Sequence, residues 1–146
     1  WILDGNTAGA ASYGLGCGAA PLTLAAANEA RPIIGATALV DIAEAPLGIA
    51  FLTIGSANDW FGGFPLPVAL DGLGMPNCSI QHSTDLYSAW FAGSVGATTA
   101  RASVPIPNNL AFLGVRLYVQ AWAPAPGVNA AGYIVSNGMT WDFGDH

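Results

Sequence analysis

Apolar and other residues alternate along GVRLYVQAW, residues 114–122. In the strand this predicts, Val115, Leu117, Val119 and Ala121 share one face, and Arg116, Tyr118, Gln120 and Trp122 share the other. The same period of two recurs in GATTARASVPIPN, where Ala100, Ala102 and Val104 oppose Thr99, Arg101 and Ser103. It recurs again in RPIIGATALVDIAEAP, with Ala36, Ala38, Val40 and Ile42 on one side; Pro32, Gly35 and Pro46 weigh against a helix there. GIAFLTIGSAN, carrying Ile49, Phe51 and Ile54, is almost wholly apolar and suits a strand covered on both faces. Shorter extended pieces are predicted near residues 22–26, 67–70 and 79–83. The final stretch, GYIVSNGMTWDFG, reads as two extended segments about Asn137-Gly138, the favoured pair for a two-residue hairpin turn.

About eight short strands separated by turns predict an all-β protein, an antiparallel β-sandwich or jelly roll. The frequency of Gly (19) and Pro (10) in 146 residues supports this, since both interrupt helices. A chain of this length fits one domain with a real core. Residues 1–12, WILDGNTAGAAS, read as an N-terminal arm with an apolar tip of Trp1, Ile2 and Leu3. Residues 13–146 are then a single sandwich domain.

Composition changes the picture in one respect. Hydrophobic residues make up 53% of the chain and charged residues only 8%, against roughly 25% charged in an average soluble domain. Three basic residues and nine acidic ones, net −6, cannot dress the surface of so small a body. Either small polar residues do so, or part of the surface is covered by a partner. The absence of any basic cluster argues against nucleic acid and against anionic membrane surfaces. Residues 117–141 carry no charge, yet Pro124, Pro126, Asn129 and Asn137 rule out a membrane-spanning helix. A first residue of Trp rather than Met is the pattern left by removal of a signal peptide, which predicts an extracellular or cell-surface location.

Two cysteines, Cys17 and Cys78, match no zinc or redox spacing. In an oxidising compartment they form one disulfide, worth about 4 kcal/mol by chain entropy; in a reducing one they are two buried thiols. The run QHSTD brings His82, Ser83 and Asp85 together, the residue types of a hydrolytic triad. Neighbours on a strand point to opposite faces and no nucleophile elbow is present, so a polar turn is the better reading and no enzyme is predicted. The second histidine is His146, and the close acids Asp142 with Asp145 and Asp41 with Glu44 are too few for calcium, so neither metal nor cofactor is predicted. Asn77-Cys78-Ser79 fits a glycosylation pattern, although a bridging cysteine inside it argues against modification.

Aromatic residues are the richest signal. Trp60, Phe61 and Phe64 fall in one Gly-rich segment, and Tyr87, Trp90 and Phe91 in another. Such groups cap the open ends of sandwiches, and they also form platforms on which sugar rings stack, with Trp60, Phe61 and Trp90 as candidates. Tyr118 and Trp122 differ, because the alternation turns them outward, where large aromatics mark contact surfaces.

YGLGC, GFPLP, GMPNCSI, IPNNLAFLGVRLYVQAW and PGVNAAGYIVSNG, in that order, resemble a small domain found at the C-terminal ends of large secreted planctomycete-type bacterial proteins. The resemblance runs from about residue 13 to residue 138. It implies an extracellular β-sandwich with Cys17 bridged to Cys78, IPN leading into a central strand and SNG as the last hairpin turn. It supplies no catalytic residues. Residues 1–12 and the tail TWDFGDH lie beyond it.

The function expected from these features is a secreted structural subunit that assembles with itself into a filament, tube or layer. Trp1, Ile2, Leu3, Tyr118 and Trp122 are its expected contacts, with the arm adding to a neighbour's sheet edge. The alternative is an extracellular carbohydrate-binding module; a hydrolase stands well behind both.

Overall fold

The computed structural model describes residues 7–61 and 63–146. Its strands are β1 (Gly9–Tyr13), β2 (Thr23–Ala26), β3 (Thr37–Ala43), β4 (Ala50–Gly55), β5 (Trp60–Phe61), β6 (Phe64–Pro65), β7 (Val68–Ala69), β8 (Ser79–Ile80), β9 (Tyr87–Ser94), β10 (Thr99–Pro105), β11 (Arg116–Pro124) and β12 (Tyr133–Asp142). Eight of them make one sheet in the order β1-β12-β11-β4-β9-β10-β3-β2, with every pair antiparallel. β9 pairs with both β4 and β10 and so joins the two halves of a flattened, nearly closed sandwich. The protein is all-β, as the alternation predicts.

The inward faces follow the sequence period. Ala38, Val40 and Ile42 of β3, Ala100, Ala102 and Val104 of β10, and Val119, Ala121 and Ala123 of β11 are all buried. So many of these are alanine that the halves close over a thin interior. Leu22, Leu24, Leu52, Ile134, Met139 and Trp141 fill its wider parts. β4 is covered on both faces along most of its length, as its apolar run requires.

The remaining gap lies between the sheet's two edges, β1 and β2. Asn137 of β12 bridges it: its Oδ1 accepts from Leu24 N–H at 2.8 Å and its Nδ2 donates to the Leu24 carbonyl at 3.0 Å. One carboxamide thereby supplies the donor and the acceptor that a ladder strand would have supplied. This corrects the expected hairpin turn at Asn137-Gly138, since β12 runs unbroken through both residues. Asn137 is needed for the bridge, and Gly138 is needed because a Cβ there would overlap the ring of Tyr13. Two residues that spell a turn locally are used here for close approach in mid-strand.

A second correction concerns the arm. Residues 9–12 belong to β1 and pair with the chain's own β12, from Gly9 opposite Asp142 to Tyr13 opposite Gly138. Trp1, Ile2 and Leu3 lie outside the described residues.

The segment between β4 and β9 folds back over the outer face of β4 and β11. Within it β5 pairs with β6 and β7 pairs with β8. Leu70, Met75 and Cys78 bury its underside. Cys17 and Cys78 are disulfide-bonded, Cα to Cα 5.1 Å, which pins this cover to the turn that precedes β2.

Candidate functional site

Three outward aromatic side chains lie abreast in the middle of the sheet. Register sets Phe91 of β9 opposite Phe51 of β4, and Phe51 opposite Trp122 of β11. Directly opposed residues share a face, so the alternation that buries Leu52, Ala121 and Ala123 turns these three the other way. The rings of Phe51 and Phe91 meet edge to face, centroids 5.7 Å apart. Ile80 and Thr84 of the cover wall the row on one side and Tyr133 of β12 on another. Phe51 and Trp122 of the row, with these three and with Thr53 and Ala89, enclose an open groove of about 400 Å³, and Phe91 stands beside it. No charged residue lines it.

The polar groups near the groove are mostly committed. The Thr53 hydroxyl is shared between the Gln120 carbonyl, 3.3 Å away, and His82 Nε2, 3.2 Å away. His82 is wholly buried, and its Nδ1 faces the Ser83 carbonyl. A carbonyl only accepts, so Nδ1 carries the proton and Nε2 accepts from Thr53. Burial holds the His82 pKa below the usual histidine value, against the opposing pull of the Ser83 carbonyl and the Asp85 charge. The indole N–H of Trp122 is enclosed and finds no acceptor among the described residues.

The sequence-adjacent His82, Ser83 and Asp85 form a clamp rather than a triad. Ser83 Oγ donates to Asp85 at 2.6 Å and accepts from the N–H groups of Ser56 and Ala57. Asp85 also receives the Ser56 hydroxyl at 2.5 Å and the Ser56 N–H at 3.0 Å. These donors, the Ser56 hydroxyl first and the Ser83 hydroxyl next, lower the Asp85 pKa to about 2. The imidazole touches the Ser83 carbonyl and not its hydroxyl, so the serine–histidine bond of a hydrolytic triad is missing. The cluster ties the end of the cover to the end of β4. There Gly55 lies so close to the Ser83 backbone that no Cβ fits between them.

Other candidates are dispersed. Tyr118 meets the chain's own first strand, its ring edge to face with Tyr13 at 6.2 Å. The Tyr13 hydroxyl donates to the Gln81 carbonyl, and burial, with Tyr118 nearby, pushes that phenol upward. Trp60 is exposed on the β5–β6 hairpin, where Phe61 pairs with Phe64. Trp90 sits apart on β9, packed against the core with its indole donating to the Ser103 carbonyl. Trp60 and Phe61 thus stand on β5 and Trp90 on β9. Asp41 and Asp142 are each gripped by two guanidinium nitrogens, of Arg101 and Arg116, and Asp145 pairs with His146. No three metal-ligating side chains gather among the described residues.

Trp122 is thus the one outward aromatic named from the sequence that reaches the groove. Phe51, Ile80, Thr84, Ala89 and Tyr133 join it through pairing and through the cover. Parity held a signal for Phe51, an aromatic between the two core residues Ala50 and Leu52. Nothing local marked the rest.

No protein-family model, curated protein or solved structure matches this chain.

Proposed function

We propose that the protein is a non-catalytic, extracellular structural subunit that associates with further copies of itself, with the aromatic groove as its principal contact surface. One observation carries this: Phe51, Trp122 and Tyr133, with Phe91 beside them, form an open apolar face that no charged residue lines, on a chain of which only 8% is charged. Contiguous apolar patches of this kind are contact surfaces on soluble proteins. Two of the three arginines are paired with cross-strand aspartates. The disulfide fits an oxidising compartment. The resemblance to secreted planctomycete-type domains points the same way.

A carbohydrate-binding role is less well supported. A sugar site needs several polar groups converging on the stacking rings. Here the Thr53 hydroxyl is already shared and the Trp122 N–H is enclosed, which leaves the Thr84 and Tyr133 hydroxyls.

Sedimentation of the purified protein over a concentration series tests the assembly. Mass is expected to rise with concentration, and Phe51→Ser is expected to abolish the rise. A single monomeric species at every concentration overturns the proposal, and retention on insoluble polysaccharide by such a monomer would install the alternative.

A further inference from the structure

Resting on that assembly reading, we infer that Trp1, Ile2 and Leu3 of one copy seat in the Phe51–Trp122 groove of the next, so that copies join head to tail. The geometry begins with where the described chain enters the fold. Thr7 Oγ1 lies 3.4 Å from His146 Nε2, Ala8 N–H donates to the His146 carbonyl, and Gly9 stands opposite Asp142. β1 runs from Asp142 toward Gly138, so Thr7 and Ala8, beside His146, lie at the Asp142 end of the sheet.

The groove is at the other end. Arg116 also pairs with Asp142, and Trp122 is six residues further along β11, about 20 Å at the strand rise of ~3.3 Å per residue. Moving from β1 across β12 to β11 adds two strand spacings, about 10 Å. Residues 3 to 1 precede Thr7 by four to six positions and reach at most about 14–20 Å from it. A copy's own groove is out of range of its own Trp1, Ile2 and Leu3. The groove of another copy is not.

Chemistry supplies the match. Trp1, Ile2 and Leu3 are large and apolar, and the polar run Asp4-Gly5-Asn6 follows them at once. The groove is aromatic, uncharged and large enough for an indole or two aliphatic side chains. Because residues 1–3 and the groove are different parts of the chain, the contact is heterologous; repeated without closing, it gives a fibre.

Two incomplete copies provide the test. One lacks residues 1–6 and keeps its groove; the other carries Ala89→Trp, which fills the groove, and keeps residues 1–6. Thr84→Arg serves as a second groove variant, and thermal melting checks that each is folded. Sedimentation of each copy alone is expected to give monomers, with association weakened at least tenfold against the intact chain. Mixed, they are expected to form one-to-one dimers and nothing longer. A cysteine at Ile2→Cys in one copy and Ala89→Cys in another should cross-link between copies, as read by peptide mapping. If the intact chain polymerises but the copy without residues 1–6 does so equally, or only one of the two defects matters, this inference falls and the assembly reading stands. If the intact chain stays monomeric, both fall.

Discussion

Two halves of one strand face behave differently. On the outer side of β11, Gln120 is completely enclosed by the cover. Its Nε2 donates to the carbonyls of Ser79 and Ser136, both at 2.8 Å, and its Oε1 accepts from Gln81 N–H at 3.1 Å. A bulge falls between Gln120 and Trp122, and the N–H of Ala121 that it releases is taken by the Ser136 hydroxyl. Two positions along the same face from Gln120, at Trp122, the cover stops and the surface turns aromatic and open. Where the chain covers its own sheet, it buries Leu70, Met75 and Cys78 together with Gln120, whose every polar atom is matched. Where it leaves the sheet bare, it leaves an apolar, aromatic surface with one unmet donor, the Trp122 indole N–H. The first kind of surface is specific to this chain's own cover. The second suits a separate molecule.

The strongest way to break this contrast is to release the cover. Replacing both cysteines (Cys17→Ala, Cys78→Ala) is expected to cost about 4 kcal/mol, read from urea unfolding, because the unfolded chain regains the freedom of a long loop. Gln120→Met comes next. It keeps the volume but strands one buried N–H and two buried carbonyls, and is expected to cost about 3 kcal/mol in the same assay. An unchanged midpoint would mean that the cover is held by apolar packing instead.

Acidity probes the same half more gently. The folded state resists protonating His82, whereas the unfolded chain accepts a proton at the ordinary histidine value. Its contribution is therefore complete above about pH 6.5 and drains away as pH falls below that value. Asp85 adds a second loss as pH falls from 3.8 toward about 2, because its serine donors favour the charged form. His82→Gln should flatten the first step of a stability–pH profile and leave the second in place. The smallest effect on stability belongs to the open half. Phe51→Ser is expected to change unfolding by about 1 kcal/mol or less, the ring being only partly buried, while removing association. A large loss of stability there would place the groove in the core of the fold and erase the contrast.

Local periodicity made much of this molecule legible. The alternations in residues 37–43, 99–105 and 116–124 are enough to orient β3, β10 and β11, because burying a strand on one face imposes the period of two whatever its neighbours are. The pairing of Cys17 with Cys78 needed only an oxidising environment and the lack of any other cysteine. Asn137-Gly138 misleads for an identifiable reason: a turn preference is a property of two residues, and the β1–β2 gap and the Tyr13 ring that claim them come from more than a hundred positions away. Gln120 misleads likewise. On an outward position it signals solvent until the cover passes over it, and the cover, between β4 and β9, has no period of its own to betray its path.

What the sequence by itself determined is therefore the strand faces, the all-β class and the poverty of charge, since each is set within a few residues or summed over all of them. The tertiary structure decided which outward positions stay outward. Sheet order, the reach of the cover and the line where it stops are long-range facts, and the groove exists because that line falls between Gln120 and Trp122.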